Sequence, residues 1–212
     1  MKGVIVVSLL ALLLPAPVIA QTIHATTREG MAVLLHRDGR WEFADQQQAH
    51  ESVAAEAGTH SRPDSSTKLV KGKRGRFGIW LDAKKWRVKR NPANADAMFE
   101  LTHANGDGYA LVIAERIAMP LETLRKVAID NANAAAEDVE VVHEEKRTVN
   151  GTEILLMQIN GTIQSIPFTY YSYYYAGKGG SIQFITYTGS DLFAEYKADF
   201  EDLLNGFEVY PR

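Results

Sequence analysis

The sequence predicts an α+β domain in which one antiparallel sheet is covered by helices on both faces, an α/β/α sandwich, with a small β-hairpin before it. Three turns, at Asn150-Gly151, Asn160-Gly161 and Gly177–Gly180, cut residues 148–188 into three strands. These strands are apolar on both faces, whereas a sheet with one solvated face alternates apolar and polar side chains. Two segments with a helical spacing of apolar residues flank this meander and can cover both faces.

Residues 1–20 are predicted to form a secretory signal peptide. Lys2 precedes an apolar run over residues 4–14, and two prolines follow before the small residue Ala20. This run is too short and too interrupted by proline for a comfortable membrane span. We therefore expect a periplasmic or secreted protein that has no integral membrane span after signal cleavage.

Residues 21–43 and 44–74 are predicted to form a hairpin and a flexible linker. Asp38-Gly39 separates two short apolar runs, which is a hairpin signal. This piece resembles a short hairpin found near the N-termini of many exported bacterial proteins. Residues 44–74 are rich in Gln, Ala and Ser and contain few large apolar side chains that could offset chain entropy.

The main domain is predicted over residues 75–212. Apolar alternation indicates strands, and apolar spacing of three and four residues indicates helices. The predicted elements are a strand or bent hairpin over 76–90, a strand pair around the turn 105–108, a helix from Pro120 to about 136, a strand over 138–145, the three-strand meander, a helix over 190–204 and an extended tail over 207–209.

This element order resembles the PsbP-like fold, whose members include photosystem-associated PsbP proteins and DcrB-type bacterial envelope proteins. The resemblance also rests on Pro120-Leu121-Glu122-Thr123-Leu124 at the helix start and on the Asn150-Gly151 meander with Phe168-Thr169-Tyr170-Tyr171. It covers about Gly75 to Val209. It implies a binding or assembly factor of exported or organellar complexes, in most members without enzymatic activity, and it brings no catalytic or ligand motif.

Charge is distributed unevenly along the chain. Residues 68–90 hold ten Lys or Arg and one Asp, whereas residues 91–212 hold 8 Lys or Arg and 18 Asp or Glu. The basic segment either packs along acidic side chains of the domain or binds an envelope protein or an anionic envelope component. The acidic side chains considered for such packing are Glu137, Asp138, Glu140, Glu144 and Glu145. We expect no nucleic-acid partner, because export removes the usual targets and the acidic domain repels phosphate.

The residues predicted for a partner or ligand surface are Tyr171, Tyr173, Tyr175, Lys84, Lys85 and Arg87. Tyrosine rings combine apolar area with a polar tip and therefore suit interfaces and ligand grooves. Core packing beneath the helices is the alternative for each tyrosine. We expect at least one of the three tyrosines to reach the edge of a groove.

No local motif indicates a catalytic, cofactor-binding or metal-binding residue. The chain has no Cys, which removes disulfides, thiolate nucleophiles and Cys-based metal sites. His143-Glu144-Glu145 lacks the second His of a helical zinc motif. The sequence therefore predicts an exported, non-catalytic binding or assembly module of the bacterial cell envelope. The alternative is a small periplasmic hydrolase or ligand-binding enzyme in which His103, His143 and Glu144 converge in space.

Overall fold

The computed structural model describes residues 23–26, 32–35, 41–43, 56–177 and 180–210. The predicted signal peptide and residues 44–55 of the predicted linker lie outside these ranges. Within them, strands and helices follow in this order: β1 Ile23–Thr26, β2 Ala32–Leu35, β3 Trp41–Phe43, β4 Glu56–His60, β5 Lys68–Lys71, β6 Phe77–Leu81, β7 Trp86–Lys89, β8 Ala97–His103, β9 Tyr109–Glu115, α1 Leu121–Ala135, β10 Glu137–Val149, β11 Thr152–Ile163, β12 Ile166–Gly177, β13 Gly180–Gly189, α2 Phe193–Leu204 and β14 Phe207–Val209. Neither of these helices is long and apolar enough to cross a membrane.

The described strands form three sheets. The large sheet has eight strands in the order β4-β10-β11-β12-β13-β9-β8-β7, and β4 runs parallel to β10 while the other neighbours are antiparallel. The small sheet has the antiparallel order β14-β6-β5. Strands β1, β2 and β3 form the third sheet. Residues 37–40, the turn of the predicted N-terminal hairpin, lie outside the described ranges, so this hairpin stays a prediction.

The first predicted turn of the meander is present, but the second is in a different place. Asn150 and Gly151 connect β10 to β11 with φ angles of 47° and 78°. The predicted turn at Asn160-Gly161 was wrong, because β11 continues through both residues to Ile163. The chain turns instead at Gln164 and Ser165, whose φ angles are 49° and 67°.

Gly161 is required by a close approach between β11 and the chain that leaves α1. It lies opposite Phe168 inside the β11–β12 ladder. A Cβ atom at this position would lie 3.2 Å from the Cβ of Ala136 and 3.3 Å from the carbonyl oxygen of Glu137. Glycine therefore makes room for the backbone here instead of forming a turn.

Strands β6 and β7 belong to different sheets, which corrects the predicted strand or bent hairpin over 76–90. β6 pairs with β5 and β14, whereas β7 pairs with β8. A turn separates them, because the backbone N–H groups of Lys85 and Trp86 both donate to the carbonyl oxygen of Asp82, at 3.1 and 2.9 Å. Alternation of apolar residues predicted both strands, but it does not say which neighbour a strand pairs with.

Two strands lie inside the segment that was predicted as a flexible linker. β4 pairs with β10 of the large sheet, and β5 pairs with β6 of the small sheet. β4 contains no large apolar residue and is held by backbone pairing, so the hydrophobic pattern could not reveal it. In β5 only Val70 is buried, and one apolar position is too weak a signal.

The apolar side chains of the meander divide between two core clusters. The larger cluster joins meander residues to α2 and the small sheet, and its members include Ile154, Leu156, Tyr171, Phe184, Phe200, Leu203 and Ile79. The smaller cluster joins meander residues to α1, and its members include Leu155, Met157, Tyr174, Leu124 and Ala128. Successive residues of β11 therefore pack with different helices, as the period of two in a strand requires.

Candidate functional site

Five apolar or aromatic side chains of β9 and β13 lie outside both core clusters, and we call them the open face: Tyr109, Leu111, Ile113, Ile185 and Tyr187. All five are half-buried. Their strand neighbours Val112 and Phe184 are both 0% exposed and belong to the larger cluster. Because side chains alternate along a strand, the open face projects from the opposite side of the large sheet.

Helix α1 covers another part of the same side of the sheet. Tyr174 lies opposite Gln183 in the β12–β13 ladder, and residues opposite each other share a face. Tyr174 packs in the α1 cluster, and α1 contacts chiefly β10, β11 and β12. A helix is about 10 Å wide, and neighbouring strands are about 4.8 Å apart. One helix therefore cannot cover this side of an eight-stranded sheet, and β9 and β13 lie beyond its reach.

A row of directly opposed residues crosses the open face from the sheet edge toward α1. The row consists of Arg87, Thr102, Tyr109, Tyr187 and Tyr170. Four strand spacings give it a length of about 19 Å. The rings of Tyr109 and Tyr187 are stacked with centroids 5.3 Å apart, and those of Tyr170 and Tyr187 are 5.8 Å apart. The centre of the row is thus a continuous aromatic surface.

Basic side chains lie at the edge strand, where the row begins. Trp86 of β7 belongs to the larger cluster, so its neighbour Arg87 projects on the side of the open face. Arg87 and Lys84 are exposed, and within the described part of the chain their side chains have no hydrogen-bonded or ion-paired partner. Lys89, also exposed, lies 3.4 Å from Glu100. Uncompensated positive charge therefore borders the aromatic surface.

Lys85, the remaining basic residue of the predicted surface, faces α2. Its Nζ atom lies 2.6 Å from Asp199 and 3.2 Å from Asp202. The hydrogen bond to Asp199 raises the pKa of Lys85 above its ordinary value. The basic segment thus does pair with acidic groups of the domain, but not with those considered from the sequence. One of those, Glu144, pairs with Arg125 of α1 at 2.8 Å instead.

The three tyrosines of the predicted surface lie on the α2 side of the sheet. Tyr171 and Tyr173 are each 1% exposed, and Tyr175 is half-buried with its ring 6.2 Å from that of Phe207. The half-buried tyrosines on the other side of the sheet are Tyr170 of β12, Tyr109 of β9 and Tyr187 of β13. The strand residues are apolar on both faces of this sheet, so the sequence did not reveal which face the helices cover less.

Tyr171 and Tyr173 bind a buried arginine through their hydroxyl groups. Arg147 is 8% exposed. Its Nη1 atom donates to the hydroxyl oxygen of Tyr173 and its Nη2 atom to that of Tyr171, each at 3.1 Å. Arg147 also contacts Glu201 of α2 at 2.7 Å and Glu145 of its own strand. Burial raises the pKa of Tyr173 to about 12. Because its donors and acceptors are matched, this network holds α2 on the sheet and leaves no group for a ligand.

The polar groups considered for a hydrolase do not converge. His103 is 4% exposed, and its Nε2 atom lies 3.1 Å from Asp199. His143 is half-exposed and lies 3.6 Å from Glu145, while Glu144 contacts α1. His103, His143 and Glu144 therefore contact three different partners and do not form one site. Among the described residues, no three His, Asp or Glu side chains are grouped so that they could hold a metal ion.

The fold is similar to solved structures, although the sequence matches no protein-family model and no curated protein. CyanoP, the cyanobacterial PsbP of Synechocystis sp. PCC 6803, has a TM-score of 0.51 and 14% identity over 70% of this chain and 95% of its own. LpqN, involved in cell envelope biogenesis of Mycobacterium tuberculosis, has a TM-score of 0.49 and 10% identity over 68% of this chain and 90% of its own. The likeness to CyanoP shows the fold alone. The PsbP-like fold that the sequence resemblance implied is thereby confirmed.

Proposed function

We propose that this protein is an exported, non-catalytic binding or assembly module of the bacterial cell envelope that binds an acidic partner protein through its open face. The observation that carries the proposal is the row from Arg87 to Tyr170. In this row an exposed arginine, which has no partner among the described residues, adjoins stacked tyrosine rings that lie outside both core clusters.

The chemistry of the row suits a protein partner. Tyrosine and arginine are enriched in the buried centres of protein interfaces, where they contribute most of the binding energy. Leu111 and Ile185 add aliphatic area beside the two stacked rings. A partner with acidic groups at its rim would complement Arg87 and Lys84, and opposite charges speed association.

The proposal includes a particular organisation of the chain. Residues 1–20 are a cleaved export signal, and residues 21–43 are a β-hairpin segment. Residues 44–74 are a connecting segment that adds β4 and β5 to the sheets of the binding domain, residues 75–212. One helix packs on each face of the large sheet, which the separate clusters of α1 and α2 support. The PsbP-like fold agrees with this role, because the resemblance implies binding and assembly factors.

Site-specific photocrosslinking in an envelope fraction tests the proposal. A photoreactive amino acid replaces Tyr187 on the open face and, in a matched control, Val142 of β10, which is 42% exposed. We expect a crosslink to an acidic protein at position 187 and none at position 142. The yield should fall severalfold with Arg87→Glu and with rising salt, because screening weakens exposed charge pairs.

Two outcomes would contradict the proposal. Equal crosslinking at positions 187 and 142, or a yield that Arg87→Glu leaves unchanged, would show that the open face does not select the partner. Co-sedimentation with anionic phospholipid vesicles tests whether the open face binds anionic lipid headgroups instead of an acidic protein. Vesicle binding that is lost in the Arg87→Glu variant would assign this surface to a lipid headgroup instead of a protein.

A further inference from the structure

A cavity of about 310 Å³ lies at the small sheet, and the proposed function does not use it. It is lined by Ser61, Arg62, Trp80, Asn150 and Glu208. These residues come from the segment after β4, from β6, from the β10–β11 turn and from β14. The small sheet packs in the α2 cluster, so the cavity and the open face belong to opposite sides of the large sheet.

Asn150 fixes the geometry of the cavity. Its Oδ1 atom accepts a hydrogen bond from the backbone N–H of Arg62 at 2.9 Å. Its Nδ2 atom donates to the carbonyl oxygens of Asn205 and Phe207, at 2.9 and 2.7 Å. One side chain therefore joins the segment after β4, the end of α2 and the start of β14, and the cavity wall is preformed.

The cavity combines an aromatic surface with one acceptor and one donor group. The Trp80 indole N–H and the Tyr210 hydroxyl both donate to Oε2 of Glu208, at 2.9 and 3.1 Å. The guanidinium carbon of Arg62 lies 4.2 Å from the Trp80 ring centroid. Within the described ranges, Oε1 of Glu208 accepts no hydrogen bond and the guanidinium N–H groups of Arg62 donate none.

We propose that this cavity binds a single saccharide unit. The apolar C–H face of a sugar ring packs on the Trp80 indole, a sugar hydroxyl donates to Oε1 of Glu208, and Arg62 donates to sugar oxygens. The side chain of Arg62 is exposed and its guanidinium lies over the indole face, so it can move aside for the ring.

The charges and the size of the cavity select this ligand class. One cation and one carboxylate balance each other, which disfavours a phosphate group because Glu208 would repel it. A purely apolar ligand would leave Oε1 of Glu208 and the guanidinium N–H groups of Arg62 without a hydrogen bond from the ligand. The volume is at the low end for ligand cavities, which suits one ring and not an oligosaccharide.

Nuclear magnetic resonance of the indole N–H groups tests the proposal with three probes: glucose, N-acetylglucosamine and glucuronic acid. We expect at least one sugar to shift the Trp80 signal with a millimolar dissociation constant. The signal of Trp86, which is 2% exposed in the core, should stay in place. Tighter binding of glucuronic acid than of glucose would show that Arg62 engages a carboxylate, as its planar donor pair favours.

Two variants and a control complete the test. Glu208→Gln keeps an acceptor for Trp80 but turns a donor toward the ligand, and Arg62→Ala removes the exposed guanidinium. We expect each change to weaken sugar binding at least tenfold. Lys126→Ala on α1, where the side chain is 63% exposed, should leave binding unchanged. The proposal is overturned if none of the three sugars shifts the Trp80 signal, or if both cavity variants bind as the wild type does.

Discussion

Arg147 of β10 and Glu201 of α2 form a bidentate ion pair that joins the large sheet to the helix. Nη1 lies 2.7 Å from Oε2, and Nη2 lies 3.3 Å from Oε1. The arginine is 8% exposed and the glutamate 23%. The pair is thus mostly shielded from water. Because the two charges have lost most of their hydration, each depends on the other for stabilisation.

Arg147→Met should destabilise the protein strongly. The substitution leaves Glu201 and the hydroxyls of Tyr171 and Tyr173 without their shared donor, and breaking a buried pair costs about 3–5 kcal/mol. Urea unfolding followed by circular dichroism measures the loss. Lys126→Ala, which removes an exposed pair with Asp130, should cost less than about 1 kcal/mol. A loss for Arg147→Met as small as that of the control would contradict a stabilising role of the pair.

Stability should decline in acid because of Glu201. Burial by itself would raise the pKa of this carboxyl, but hydrogen bonds from Arg147 and Tyr171 outweigh burial and hold the pKa below 4.5. The unfolded chain then binds the proton more readily. The carboxylate's contribution is therefore complete above pH 4.5 and is lost as the pH falls through the lower pKa of the folded state. Urea unfolding at a series of pH values should show a shallower acid decline in Glu201→Gln, and parallel profiles would exclude Glu201 as the cause.

The second turn of the meander was predicted at the wrong residues, because local turn preferences do not account for strand register. A turn at Asn160-Gly161 would place Leu156 opposite Ser165 and Met157 opposite Gln164. The observed register instead places Leu156 opposite Tyr173. Pairing of large apolar side chains across the ladder outweighs the preference of Asn-Gly for positive φ, because register is set by the hydrophobic pattern.

Ser165→Gly should therefore stabilise the protein. Ser165 has a φ of 67°, a conformation that is unfavourable for residues with a Cβ atom. Relief of this strain should raise the free energy of unfolding by about 1 kcal/mol. Ser65→Gly, in an exposed loop where φ is not positive, should lower it slightly, by about 0.5 kcal/mol. Chemical denaturation measures the free energy of unfolding of both variants. Equal changes in the two would mean that the backbone of Ser165 is not strained.

The order of elements from β6 onward, the helix after Pro120 and the first turn of the meander could be predicted from the sequence, because each has a local signal. The candidate surface could not. Tyr171 and Tyr187 are the same residue type in similar apolar strands, and only the placement of α1, α2 and the small sheet decides which is covered. Arg87 was predicted because an exposed cation in a strand needs no tertiary information to be noticed.

Two isoleucines of β13 allow a direct test of this difference between the faces. Ile182 is 6% exposed in the α2 cluster, whereas Ile185 is half-buried on the open face and belongs to neither cluster. Ile182→Ala should cost about 2–5 kcal/mol, because it removes fully packed methyl groups and leaves a cavity. Ile185→Ala should cost only about 1 kcal/mol, since solvent already reaches its side chain. Urea unfolding of the two variants gives the comparison. Equal losses would mean that the open face is packed as tightly as the core, and the partner surface would then have to lie elsewhere.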